Sequence, residues 1–312
     1  MHTYIARRLL YSIPALLGIT LIIFLALRVL PGDPLAVLYG EGGKANLTEA
    51  DISKIKAQMG FDKPLYWQYV QWLQDLATGK MGESFWRGDS VAEMILRRGP
   101  LTAQIAVIAV LVSWVIGLPV GIVGAMRQNG VLDYVARFFT IIFLAVPSFL
   151  VAVLVVVLAV MVFNYRPPLG IIYLWDDPQG NLQIVLGLST SAYIARMART
   201  TLLEVIRDDY IRTARAKGLS ERLVVLSHAL HNALLPVITL SGVLFGLLLG
   251  GSVAVELAFA VPGLGTALVQ AFTERDFVVV QNLVLLYGII FVLVNLLIDV
   301  AYAWLDPRIK YS

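Results

Sequence analysis

The chain contains no cysteine. Disulfides, thiolate metal sites and cysteine nucleophiles are thereby excluded. Histidine is scarce, with three residues. His228 and His231 lie one helical turn apart, but no carboxylate stands in register with them, so they read as an ordinary interfacial pair rather than a metal site. A phosphate-binding loop is missing too. Gly43-Lys44-Ala45 resembles its end, yet Leu38 stands where the first glycine belongs and no Ser or Thr follows the lysine. Charge is thin: Asp, Glu, Lys and Arg make up 14% of 312 residues, where soluble domains carry about 25%. No low-complexity linker divides the chain, and no pair of matching halves is visible, which weighs against repeat-built secondary transporters.

What is present is apolar. Hydrophobic residues make up 59% of the chain and the mean hydropathy is +0.80. A span needs about 20 predominantly apolar residues. Leu9–Leu30, Leu101–Met126, Phe138–Phe163, Ala233–Val255 and Val278–Ile298 qualify. Leu182–Ala195 is short and runs into Arg196 and Arg199; it is expected to continue as one helix into that Arg-rich stretch. The expected fold is all-α, a polytopic membrane protein of six transmembrane helices. The first run is too long for a signal-peptide core and no A-x-A site follows it, so it is expected to be retained.

Lys and Arg set the orientation. Arg7 and Arg8, Arg127 and Arg137, the group from Arg207 to Arg222, and Arg308 with Lys310 fall on one side of a six-span chain. Both termini are therefore expected in the cytoplasm. The boundary falls near Gly99-Pro100: residues 1–98 form one span plus an extracytoplasmic segment, 99–305 a five-helix domain, and 306–312 a tail. Thr48-Glu49-Ala50-Asp51 predicts a helix that Gly60 ends. Pro64 predicts the start of a second, carrying Tyr66, Trp67, Tyr69 and Trp72. That helix reads as an aromatic belt on the outer membrane surface or as a docking surface for an external partner.

Ionisable groups are missing from mid-span. Arg28 lies at a span end, where it can snorkel. Asp299 is near another, and Glu256 near the outer end of span five, so proton-coupled transport is disfavoured. Neither a Gly-x-Ser-Gly nor paired intramembrane aspartates support an intramembrane protease. Gly242, Gly246 and Gly250 share a helix face at four-residue spacing, and Gly117 and Gly121 repeat the pattern. Such a face packs helices within the subunit or against a second subunit across a pathway. Pro119, Pro147 and Pro236 can kink helices.

The longest hydrophilic stretch of the second half is Asp208–Thr239. It holds Asp208, Asp209, Arg212, Arg215, Lys217, Glu221 and Arg222, breaks at Gly218 and is expected to end at Pro236. Two helices are predicted, Arg212–Lys217 and Ser220–Asn232, the second with Ser220 as N-cap. Physics alone leaves this element open between a lever gripped by a partner and an amphipathic helix on the anionic inner leaflet.

This stretch, RTARAKGLSERLVVLSHALHNALLPVIT, resembles the cytoplasmic loop of binding-protein-dependent ABC importer permeases of the dipeptide/oligopeptide/nickel family. Gly218 matches the glycine of that loop and Leu234-Leu235-Pro236 its end. Tyr4–Leu9, Leu30–Pro34, Gly60–Leu65, Gly79–Ser84, Pro262–Gly265 and Asp306–Arg308 resemble other signatures of the family. Two positions depart: Arg212-Thr213-Ala214 replaces Glu-Ala-Ala, a form usual in the peptide branch, and His231 stands where that branch usually has Arg. The resemblance implies a type I importer permease in a prokaryotic inner membrane, itself non-catalytic and without a cofactor. It implies a second homologous permease, two ATPase subunits that bind ATP and Mg, an extracytoplasmic solute-binding protein and membrane lipid as partners, and no nucleic acid. Arg212, Thr213, Ala214, Lys217, Gly218, Leu219 and Pro236 would belong to an ATPase-coupling loop at about 207–232, its coupling helix within Arg212–Leu226. Gly242, Gly246, Gly250 and Pro147 would serve helix packing or the pathway. The cargo implied is a dipeptide or oligopeptide, with nickel chelates, glutathione or oligosaccharides as alternatives.

Overall fold

The computed structural model describes residues 2–29, 48, 53, 62–164, 182–251, 253–259 and 261–305. Among the described residues the chain is helical, apart from turns and one isolated antiparallel bridge between Glu83 and Ser90. The helices in chain order are α1 His2–Val29, α2 Leu65–Ala77, α3 Val91–Met126, α4 Val131–Ala145, α5 Ser148–Phe163 and α6 Leu182–Val205. There follow α7 Asp209–Ala216, α8 Glu221–Leu223, a π-helical turn Val224–Ala229, α9 Leu230–Gly251, α10 Val253–Ala258, α11 Leu264–Thr273 and α12 Phe277–Leu305. All of the predicted helix from Thr48 to Gly60 except residues 48 and 53, Gly43-Lys44, and the signatures at 30–34 and 306–308 lie outside the described residues.

Among the described residues four helices are long and apolar enough to cross a membrane: Ala6–Arg28, Val91–Met126, Glu221–Gly250 and Phe277–Tyr302. A bent pair, Val131–Ala145 with Ser148–Val162, makes a fifth if taken as one span. The expected third span, Phe138–Phe163, is broken, with a bend of 99°. Pro147 has no amide hydrogen and its ring pushes the preceding residue out of the helical region. Val146 is accordingly extended, φ −87° and ψ 123°. The expected fourth span does continue as one helix, α6, through Arg196 and Arg199 to Val205. It is not among the long apolar helices, because arginine and hydroxyl side chains dilute its hydropathy. Helix α3 begins ten residues before the expected Leu101 and passes through Gly99-Pro100 unbroken.

The chain divides into two compact units. One comprises Pro100–Gly265 and Phe291–Ser312. Within it α3 lies tight on α6. A Cβ at Gly117 would come 2.5 Å from the Ser191 carbonyl oxygen, and one at Gly121 2.5 Å from that of Ala195. These two glycines let backbone meet backbone. Asp133 of α4, fully buried, pairs with Arg199 of α6 (Nε to Oδ1, 2.7 Å) and with Arg137 one turn along its own helix (Nη2 to Oδ2, 2.7 Å). Trp114 Nε1 donates to Ser241 Oγ at 2.7 Å and ties α3 to α9.

The other unit comprises His2–Gly99 and Thr266–Ile290. Its α2 divides its aromatics between two faces. Tyr69 and Trp72 pack on Phe24 of α1, with ring centroids 5.2 and 6.4 Å away, while Tyr66 and Trp67 stay exposed. Arg28 is bonded within this unit. Its guanidinium lies 3.6 Å over the Phe24 ring and donates to the side-chain oxygens of Gln68 (3.2 Å) and Gln281 (3.0 Å). Asp276, buried ahead of α12, accepts from Ser84 Oγ (2.5 Å), Phe85 N–H (3.1 Å) and Val279 N–H (3.3 Å). The last is an N-cap bond. Burial nonetheless raises the Asp276 carboxyl above the ordinary carboxylate range, the three donors pulling the other way.

Candidate functional site

The hydrophilic stretch folds as a helix, a tight turn and a second helix. Helix α7 is short and amphipathic. Ile211 and Ala214 are buried against Leu202 of α6 and against Val224, Val225 and Ala229 of the π turn. Arg212, Thr213 and Lys217 face outward, fully exposed on the opposite side. Of the resemblance-derived residues, then, Ala214 anchors the element and Arg212, Thr213 and Lys217 present it. Leu219 is half-buried and packs on the same apolar cluster.

Gly218 ends α7 with φ +78°. A left-handed residue at this position is the usual helix terminator, and glycine adopts it without a Cβ penalty. Its N–H reaches the Arg215 carbonyl at 2.9 Å. Ser220 occupies the N-cap position of α8 as expected, but its side chain makes no capping bond. The turn is instead closed from outside by a two-point ion pair. Arg215 donates from Nε to Glu221 Oε2 at 3.0 Å and from Nη2 to Oε1 at 2.6 Å. This pair raises the Arg215 pKa further above its ordinary value.

The second helix does not end at Asn232. Residues Glu221–Gly250 form one continuous helical rod of 30 residues, with the π turn near its start and Pro236 inside it. Around Pro236, Tyr302 of α12 donates to the Leu235 carbonyl at 3.0 Å and also pairs with the Thr239 hydroxyl. The outer limb of the turn is thus the beginning of the long apolar helix, with no joint between them. Three contacts not foreseen from the sequence lock the lever. Asn232 Nδ2 donates to the Tyr210 hydroxyl at 2.8 Å, joining α7 to α9. Thr201 Oγ1 donates to the Ala233 carbonyl at 3.0 Å, joining α6 to α9. Ala125 of α3 packs in the same cluster. Nothing in the residue types marks these pairs, since each joins distant segments.

Gly242 and Gly246 face α12 of the same chain. A Cβ at Gly242 would overlap the Ile298 side chain, and one at Gly246 would lie 2.8 Å from the Phe291 ring. Gly250 opens onto empty space. Gly242 and Gly246 thus pack helices within the subunit. Pro147 sits at the α4–α5 bend. His228 Nδ1 lies 3.5 Å from the Leu223 carbonyl and His231 is exposed. Glu256 is fully buried, and Gly263 and Gly265 approach its carboxylate so closely that a Cβ at Gly263 would lie 2.6 Å away. Its carboxylate, carried on α10, is thus enclosed by the Gly263–Gly265 segment.

The profile of the family described as "Binding-protein-dependent transport system inner membrane component" matches residues 117–311, and its N-terminal counterpart matches 1–106. The chain belongs to this family. Similar proteins in the family match over their whole length and all of this chain. A protein of Brucella abortus assigned as a peptide transport system permease is 38% identical. The di/tripeptide transport system permease protein DppB of Pseudomonas aeruginosa is 36% identical, and the oligopeptide transport system permease protein AppB of Bacillus subtilis 35%. An inward-facing structure of the MetNI methionine ABC transporter superposes with a TM-score of 0.58 at 21% identity, covering 69% of this chain and 97% of that one. It shares the fold. This family member is accordingly a multi-pass inner membrane protein, the permease component of an ABC importer.

Proposed function

We propose that the chain is the membrane-spanning, non-catalytic subunit of an ATP-driven importer for dipeptides or oligopeptides. It lines half of the pathway beside a second, homologous permease. Two ATPase subunits bind ATP and Mg and grip the α7–Gly218–α8 element, and a solute-binding protein delivers cargo from outside. The chain crosses the membrane six times, α6 being the fourth crossing, with both termini in the cytoplasm and α2 on the outside. Residues 1–98 serve as the N-terminal span and outer segment, and 99–305 as the five-helix domain.

One observation carries this reading. An exposed, charged helix is fastened to α6 by buried apolar contacts and to a 30-residue apolar rod by a side-chain hydrogen bond. A partner that moved α7 would move both membrane helices with it. An amphipathic surface helix requires no such fastening. The peptide cargo rests on the names of relatives that match over full length.

Affinity purification of the tagged chain from its host membrane tests the assembly. Two ATPases and a second permease are expected to co-purify. Transport by the lone chain in liposomes would overturn the reading. Thermal shift of the cognate solute-binding protein against di- and tripeptides, with glutathione and nickel chelates as competitors, tests the cargo.

A further inference from the structure

Arginine exceeds carboxylate where α4 meets α6. Asp133 accepts from both nitrogens of the Arg199 fork (2.7 and 3.0 Å), from both of Arg137 (2.7 and 3.2 Å) and from the Asn129 N–H (2.9 Å). A carboxylate offers about four lone-pair sites, so Asp133 is saturated. Two guanidiniums share its single charge. Arg196, one turn before Arg199 on α6, is exposed and forms no ion pair among the described residues. The cluster is left with surplus positive charge, and the buried carboxylate holds Arg137 and Arg199 in fixed positions.

A cavity of about 210 Å³ opens beside these arginines. Arg137, Arg196 and Arg199 form its polar wall, and Val120, Ile141 and Leu144 its apolar floor. The outer face of α4 continues that floor, with Val131, Phe138 and Ile141 all exposed by more than half. A soluble anion would match the arginines and leave the floor unused. An apolar ligand would leave the arginines unused. An amphiphile with a phosphate head matches both. This inference rests on the orientation proposed above, which puts this end of α4 and α6 at the anionic inner leaflet.

We propose that the cavity holds the headgroup phosphate of an anionic phospholipid. Arg196 supplies the free fork, Arg137 and Arg199 the fixed flank, and the acyl chain runs along α4. Because α7 packs on α6 through Ile211 and Ala214, the lipid is bound to the helix that carries the proposed lever.

Native mass spectrometry of the purified full chain tests this, with phosphatidylglycerol or phosphatidylcholine supplied at equal concentration. Selective retention of phosphatidylglycerol is expected. Arg196→Gln should weaken it about fivefold, the effect of one arginine at an anionic surface, whereas Arg207→Gln, outside the cavity, should not. Arg137→Gln is a second variant should Arg196→Gln fail to purify. Equal retention of both lipids, or unchanged retention in Arg196→Gln, would overturn the site. Displacement of the lipid by excess inorganic phosphate would show a soluble-anion site and overturn the lipid assignment. Labelling of Ser220→Cys by a membrane-impermeant thiol reagent reads the orientation separately. Labelling from outside, with lipid selectivity intact, would overturn the topology and leave the site standing.

Discussion

Gly218 shows how little of a residue's role need lie in its contacts. Its φ is +78°, yet a Cβ there would meet nothing within 4 Å. A substitution is penalised by the backbone, at roughly 1–2 kcal/mol for an ordinary L-residue in the left-handed region, and not by collision. Size and conformational tolerance therefore separate. Asparagine visits the left-handed region readily; a β-branched residue there is an outlier. In the reconstituted complex, Gly218→Asn should keep most of the substrate-stimulated ATPase activity, and Gly218→Val should lose most of it while still inserting into the membrane. Equal loss in both variants would mean that the open space is filled by a partner, and that size decides after all. Gly263 is the contrasting residue: there the buried Glu256 carboxylate fills the place of a side chain, so even alanine has no room.

Helices were legible in the sequence wherever apolar runs were long, and their junctions were not. The run from Phe138 to Phe163 reads as one span, because hydropathy counts residues and ignores direction; Pro147 turns it by 99°. Ser220–Asn232 and Ala233–Val255 read as two elements because the polar residues end at Asn232, whereas the structure runs them together as one helix through Pro236. The break at Gly218 between two helices was legible from the sequence. The Arg215–Glu221 closure, the Tyr210–Asn232 bond and the saturation of Asp133 needed the fold, although the four-residue spacing of Asp133 and Arg137 was a usable hint. The glycine face of α9 was legible as a face, but its partner was not. Its two halves now differ in a measurable way. Gly242→Ala would drive a methyl into Ile298, and overpacking of this kind costs about 1–3 kcal/mol. Gly250→Ala meets open space and gains helix propensity of up to about 1 kcal/mol. Thermal unfolding in detergent should show Gly242→Ala lowered and Gly250→Ala unchanged or raised. The reverse order would place the packing face elsewhere.

For the molecule as a whole, the question is how motion at an exposed helix reaches the membrane. Helix α7 is held on α6 by Ile211 and Ala214, on α9 by the Tyr210–Asn232 bond, and across the turn by Arg215 and Glu221. The apolar anchors supply the stability. The ion pair, open to solvent on one side, is worth only about 0.2–1 kcal/mol to folding. Its contribution is stiffness, since a two-point fork fixes the angle between α7 and the long rod in a way a single bond does not. Stability and coupling should therefore come apart at this pair. Arg215→Glu should leave thermal unfolding of the complex nearly unchanged and basal ATP hydrolysis intact, while substrate stimulation of hydrolysis falls. Restoring the pair in reversed order, with Arg215→Glu and Glu221→Arg together, should recover much of that stimulation. Failure of the double variant to recover, with assembly intact, would mean that Arg215 acts as a direct contact for the ATPase and not as a brace within the lever.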